Sequence, residues 1–265
     1  MNILNEERRH FSVTQLTTYL SCPLKYYFQY ELGIPWRHVP SSVAFGDSIH
    51  KSVSFMNDAL MQGNPISQDD LIGAFNREWA ANIETNNIEW RRPDESGNLR
   101  MKGCDLLGLY YGKFRSFKPR SVEMEFRLPL LDPVSGLFIE SRDVVGKMDS
   151  ISELGTILEV KTASKSPSQL EIDANLQLTM YSWSYRMLFG APERQIIVAA
   201  MVKSKEPQLQ IIKTRRRDRD YTKMLHLIDR VITCIDQGMF YPNQMNIWGC
   251  RNCEYIVECE KEWPL

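Results

Sequence analysis

The chain has 265 residues, 43% of them hydrophobic and 25% charged, the balance of an ordinary soluble globular protein. A formal net charge of -1 excludes a global basic field that would advertise nucleic acid, while leaving room for a local patch. No run of about 18 apolar residues occurs and the opening "MNILNEERRHF" has no apolar signal core, so no membrane span is expected and a cytoplasmic protein with reduced thiols is.

The elements follow in chain order. Ser12 and Gln15 form a capping box that starts a helix. Pro23 opens a second helix, reaching about Leu32 before Gly33 and Pro35. Ile49, Val53, Met56 and Leu60 recur at helical spacing in "SVAFGDSIHKSVSFMNDALMQG", which Gly63 ends. "SQDDLIGAFNREWAANIE" is a further helix, capped by Ser67 with Asp70. Residues 86–100 are polar and turn-rich and are expected to be a mobile loop, followed by a helix over 103–117. From Ser121 the period becomes two, giving strands "SVEMEFRLPLL" and "LFIESRDVVGKMDSI" around the turn "DPVSG". "TILEVKTA" is a third strand, reached through "SELG". A helix over 169–189 stops at Gly190, strands follow at 194–203 and 208–215, and an amphipathic helix covers 218–237. This order predicts one α/β or α+β domain.

The sharpest chemical pattern is "VVGKMDSISELGTILEVKTAS". Asp149 and Glu159 are symmetric about residue 154, so a hairpin turning there sets them directly opposite each other. Opposed residues share a face with Cβ atoms about 4.5–5.5 Å apart. Lys161 falls on that face by strand alternation, and Val160 points away into the core. Facing carboxylates repel unless a cation lies between them, and hard oxygen ligands suit Mg²⁺ or Mn²⁺. Asp, Glu and Lys around such a cation fit metal-assisted hydrolysis of a phosphodiester. A solvated strand face with a Glu/Lys ion pair is the plainer alternative.

The chain also closes on "GCRNCEYIVEC", with Cys250, Cys253 and Cys259 spaced C-x2-C-x5-C. Three thiols exceed one disulfide and fall one short of a tetrahedral site. Under reducing conditions they read as metal ligands. Spacing alone leaves zinc and an iron–sulfur cluster both open.

"D-x9-E-V-K" resembles the PD-(D/E)XK nuclease superfamily, whose restriction-endonuclease-like core is a mixed sheet flanked by helices. Further stretches resemble its RecB-like branch, which includes the AddB nuclease domain and the CRISPR-adaptation exonucleases. "FGDSIHKSV" is similar to the branch's histidine motif and "QLTMY" to its Q-x-x-x-Y motif. The terminal cysteines match its iron–sulfur signature, and "LSCPLKYYFQY" resembles the context of the first ligand. The resemblance implies His50, Asp149, Glu159 and the Val160 carbonyl as metal ligands, with Asp149, Glu159 and Lys161 catalytic. It implies that Gln177 and Tyr181 contact DNA, and that Cys22, Cys250, Cys253 and Cys259 hold a 4Fe-4S cluster. Zinc is the alternative. An imidazole among the carboxylates would favour Mn²⁺ over Mg²⁺.

The matched stretches run from residue 12 to 259, and one nuclease domain over 1–265 is expected. Met148 stands where the superfamily motif has Pro, and about 100 residues separate His50 from Asp149. Residues 64–118 read as a helical insertion. One cluster joining Cys22 to 250–259 would staple the chain ends together. No phosphate-binding G-x-x-x-x-G-K-[ST] occurs, so the chain carries no recognisable ATP motor.

Other groups have plainer readings. Glu123 and Glu125 are read as structural or outer ligand-shell residues. Lys203, Lys205, Lys213, Arg215, Arg216 and Arg217 form either a solvated face or a phosphate track. Trp36, Trp79, Trp90 and Trp183 would stack bases or, more often, fill the core. Cys104 and Cys234 are expected as buried helical thiols.

The reading that results is a metal-dependent exonuclease acting on single-stranded DNA or free DNA ends, in repair, recombination, phage or CRISPR-adaptation processing. The alternatives are a non-catalytic DNA-binding subunit of a helicase–nuclease or integrase complex, or a nuclease silent until such a partner joins it.

Overall fold

A computed structural model describes residues 9–90, 92, 95–131, 136, 138–243, 249–250 and 253–263. Their order is β1 (Arg9–Ser12), α1 (Val13–Ser21), α2 (Pro23–Tyr26) running into a π-helical turn (Tyr27–Glu31), β2 (Val39–Pro40), α3 (Ser41–Met61), α4 (Gln68–Thr85) and β3 (Ile88–Glu89). Then come α5 (Glu95–Phe114), β4 (Pro119–Leu131), β5 (Phe138–Ser152), β6 (Thr156–Ala163), α6 (Gln169–Asp173), α7 (Leu176–Phe189), β7 (Gln195–Val202), β8 (Gln208–Thr214), α8 (Asp218–Asp236) and α9 (Ile256–Glu262). The architecture is α/β, a mixed sheet flanked by helices.

The chain forms two compact units. One comprises residues 38–125 and 147–215. In it β6 pairs antiparallel with β5 and parallel with β7, which pairs antiparallel with β8. β7, "QIIVAAMV", is almost continuously apolar because neighbours occupy both its edges and helices cover it. Phe45, Ile49 and Met56 of α3, Phe75 and Trp79 of α4, and Leu106 and Tyr110 of α5 pack against Leu158, Val160, Ala199 and Met201. The residues predicted as an insertion therefore contribute α4 and α5 to this core. α7 meets the other face of β6, the side to which alternation turns Lys161.

The second unit comprises residues 1–37, 126–146 and 216–265. In it β1 pairs parallel with the first half of β5, Arg9 opposite Arg142 and Ser12 opposite Val145. α8 buries Tyr221, Met224, Leu225, Ile228, Val231, Ile232 and Ile235 along one face, the stripe its period foretold. Leu24, Phe28 and Tyr255 form a small core, with Cys22, Cys253, Cys259 and Trp36 against it.

Several expectations need correction. β1 was not foreseen, because four residues carry no period. The expected loop at 86–100 holds β3 and the first turns of α5, which begins at Glu95 and ends at Phe114. Leu99 and Trp90 pack onto the core, and Ser41 donates to Glu95 Oε1 at 2.9 Å; these distant contacts outweigh a glycine-containing, polar sequence. The single helix over 169–189 is two: Asn175 breaks it, its side chain accepting from the Leu178 N–H at 3.0 Å to cap α7. Cys104 and Cys234 lie on helices but are half-buried. Trp79 and Trp183 are buried, whereas Trp36 and Trp90 are half-exposed. Residues 132–135 of the turn "DPVSG" lie outside the described residues.

Candidate active site

The site is built on the β5–β6 hairpin. Gly155 closes the turn at φ +76°, its N–H donating to the Ser152 carbonyl at 2.9 Å. Only glycine enters that conformation freely. A Cβ there would also stand 2.6 Å from the Tyr185 hydroxyl. The turn sets the register at Ile151 opposite Ile157 and Ser150 opposite Leu158. One further step of that register would set Asp149 opposite Glu159. The Asp149 carboxylate accepts the Val160 N–H through Oδ2 at 2.8 Å.

The neighbouring helices α3 and α7 add the remaining groups. α3 presents His50, whose Nδ1 lies 3.4 Å from Asp149 Oδ2. Asn57, two turns further along α3, donates to Ser150 Oγ at 2.8 Å and pins the helix to the hairpin. Lys161 Nζ lies 2.7 Å from Glu159 Oε1 and donates to Gln177 Oε1 on α7. Gln177 Nε2 in turn donates to the Tyr181 hydroxyl oxygen at 2.7 Å, the i,i+4 spacing of one helix face. The structure thus brings His50, Asp149, Glu159, Lys161, Gln177 and Tyr181 together within one unit.

The electrostatics are dominated by burial. Glu159 is 1% exposed. Desolvation, then the Asp149 charge, push its carboxyl up to about 8, with Lys161 and His50 opposing. At His50 burial works downward, but the hydrogen bond and charge of Asp149, with the Glu159 charge, hold the imidazole above its ordinary value. Burial and the same carboxylates raise Tyr181, so its phenol keeps its proton.

These residues suit a divalent cation. Glu159 Oε2 is buried and has no hydrogen-bond partner among the described residues. An anionic oxygen in that position is costly unless something positive meets it. The donor set of two carboxylates, an imidazole and a peptide carbonyl is that of Mg²⁺ or Mn²⁺. Among the described residues no three His, Cys, Asp or Glu side chains are already arranged to hold a metal. Asp149 meets Val160 and His50 through Oδ2 and Glu159 meets Lys161 through Oε1, which leaves Glu159 Oε2 to face a cation.

One acidic residue outside the predicted site lies near it. Glu123 on β4 takes φ +50°, a left-handed conformation rare for a side-chain-bearing residue. Its carboxylate accepts from Ser54 Oγ at 2.7 Å and pairs with Lys147, two residues before Asp149. It lies close enough to add to the shift of Tyr181. The strand period shows where Glu123 sits but not its twisted backbone.

The cysteines belong to the other unit. Burial raises the Cys259 thiol, and the nearness of Cys22, Cys253 and Cys250 raises it further. Cys22, the N-cap residue before Pro23, is therefore close to the terminal three. The donor set and its apolar collar suit a tetrathiolate group, which would remove the protons that burial favours. Residues 251 and 252, between two of these cysteines, lie outside the described residues.

Mixed sheet, flanking helices and a carboxylate–carboxylate–lysine site define a nuclease-type α/β fold. The sequence matches the PD-(D/E)XK nuclease superfamily over residues 10–260, and the protein belongs to it. Among solved structures, one from Eubacterium rectale named "Putative exonuclease" has a TM-score of 0.56 at 14% identity, covering 100% of this chain and 95% of its own. That likeness is one of fold. A second, named SSO0001, has a TM-score of 0.44 at 16% identity over 97% and 88% of the two chains. No curated protein matches.

Proposed function

We propose that this nuclease is a metal-dependent DNA exonuclease of the RecB-like branch, acting on single-stranded DNA or free DNA ends. The observation that carries the reading is the orphaned, buried Glu159 oxygen beside Asp149 and Lys161. Asp149, Glu159, His50 and the Val160 carbonyl are the groups that would hold Mg²⁺ or Mn²⁺. Bound there, the cation would polarise the scissile phosphate and acidify a water.

The chain's own groups do the rest. In hydrolysis the water oxygen bonds to phosphorus and gives up its proton to bulk water, the ester P–O bond breaks, and the departing oxygen takes a proton from bulk water. Lys161 is a donor only, so it orients the water and steadies the developing charge and does not accept the proton. Gln177 aims that ammonium, and Tyr181, kept protonated, holds Gln177 and offers a donor to phosphate. The cysteine unit is a structural staple, a 4Fe-4S cluster in preference to zinc.

The test is the purified protein alone on end-labelled single strands with Mn²⁺, then with EDTA. Metal-dependent release of nucleotides from an end supports the proposal. Binding without cleavage would identify instead a subunit that needs a helicase or integrase partner, or has lost catalysis. Neither binding nor cleavage would overturn both.

A further inference from the structure

Beyond Lys161 the end of β6 opens into a groove. One part, of about 590 Å³, is walled by the start of α3, by α5, and by the segment from Thr162 to Lys165. An adjoining part, of about 560 Å³, shares Glu95, Leu99 and Lys203 with the first, so the two are continuous. Among the described residues five cations line it, Arg92, Lys102, Lys165, Lys203 and Lys205, against one carboxylate, Glu95. In a chain of net charge -1 this is a marked local excess. The Glu95 carboxylate accepts the Ser41 hydroxyl.

The walls are tied together. Lys203 follows β7, its N–H donating to the Ala163 carbonyl at 2.8 Å. Lys102 of α5 donates from Nζ to the Lys203 carbonyl at 3.2 Å, joining helix to strand end. Lys203 Nζ stands 4.6 Å over the Phe45 ring. Ala163 is two residues past Lys161, roughly 6.6 Å along the strand at the usual rise. The groove therefore begins at the strand end just past the candidate catalytic lysine, on the α3 and α5 side of β6.

We infer that this groove is a phosphate track that carries the substrate strand to or from the scissile bond, an inference that rests on the nuclease reading above. Each part has the volume of a small-ligand pocket, room for a nucleotide or two of one strand. None of the described residues lining it is aromatic, so it reads the sugar–phosphate backbone and tolerates any base sequence. The helices between His50 and Asp149 thereby acquire a role, with α5 and Arg92 as the outer wall.

The test is fluorescence anisotropy with a labelled twelve-nucleotide thymidine oligomer, in EDTA so that nothing is cut, over a range of salt. Lys165 and Lys205 are exposed, so the double variant Lys165→Gln/Lys205→Gln leaves the core alone. Lys102→Gln is the second variant. Several-fold weaker binding is expected. The slope of log affinity against log salt should shrink by about 0.7 for each phosphate contact removed, with unchanged melting. Wild-type affinity and slope in both variants would overturn the track while leaving the nuclease reading intact. A wild-type protein that binds no oligomer would sink both. Equal losses on a blunt duplex would overturn the single-strand assignment.

Discussion

Glu159→Gln separates the electrostatics of the site from its shape. The amide keeps the side chain's volume and removes only its charge. In the metal-free fold, burial and Asp149 raise the carboxyl from 4.5 to about 8. An acid raised on folding holds its proton more tightly in the native state. Its contribution therefore falls as pH rises above the unfolded value, and stops changing once pH passes the folded one. At about 1.4 kcal/mol per unit, the strain on wild type at pH 7 is on the order of 3 kcal/mol. The amide escapes it but forfeits the Lys161 ion pair at 2.7 Å. In EDTA at pH 7 the variant should therefore exceed wild type by about 1–3 kcal/mol, at roughly 2–4 °C of melting temperature per kcal/mol. The gap should close near pH 4. Saturating Mn²⁺ should reverse the order, since a ligand at a thousandfold its Kd adds about 4.1 kcal/mol to wild type and little to the variant. Thermal melts across pH 4–9, with and without Mn²⁺, check this. A gap that ignores pH, or a wild type more stable throughout in EDTA, would refute the desolvation argument.

Lys161→Ala should lower single-strand cleavage by about 10²-fold or more, as loss of a charge-stabilising donor does, with circular dichroism unchanged. Cys253→Ser should lower melting temperature and cleavage together. Anaerobically purified wild type should be brown with a broad visible absorption that the variant loses; a colourless wild type holding one zinc would replace the cluster with that metal. Gly103→Ala should cost about 1–3 kcal/mol in urea denaturation, because its Cβ would overlap the Phe75 ring inside the α3–α5 core.

The hairpin was legible because its determinants are local. A short turn with Gly155, flanked by period-two strands, leaves a single register in which the apolar residues face inward; it pairs Ser150 with Leu158 and so puts Asp149 and Glu159 one step further along the two strands. α8 and the Ser12 and Ser67 caps were legible for the same reason. The start of α5 and the break at Asn175 were not. Tertiary contacts at Leu99 and Trp90 extend the first helix through polar sequence, and a single side-chain cap interrupts apolar periodicity in the second.

By itself the sequence determined which residues alternate, which face shares which charge, and hence the pairing of the two carboxylates. Only the tertiary structure decided that Glu159 is stripped of water, that Lys161 reaches Gln177, itself bonded to Tyr181, and that Lys102, Lys165 and Lys203 line one groove. The reason is range. Period and turn chemistry act between near neighbours in the chain, whereas desolvation and charge convergence depend on which distant segments fill the space around a group.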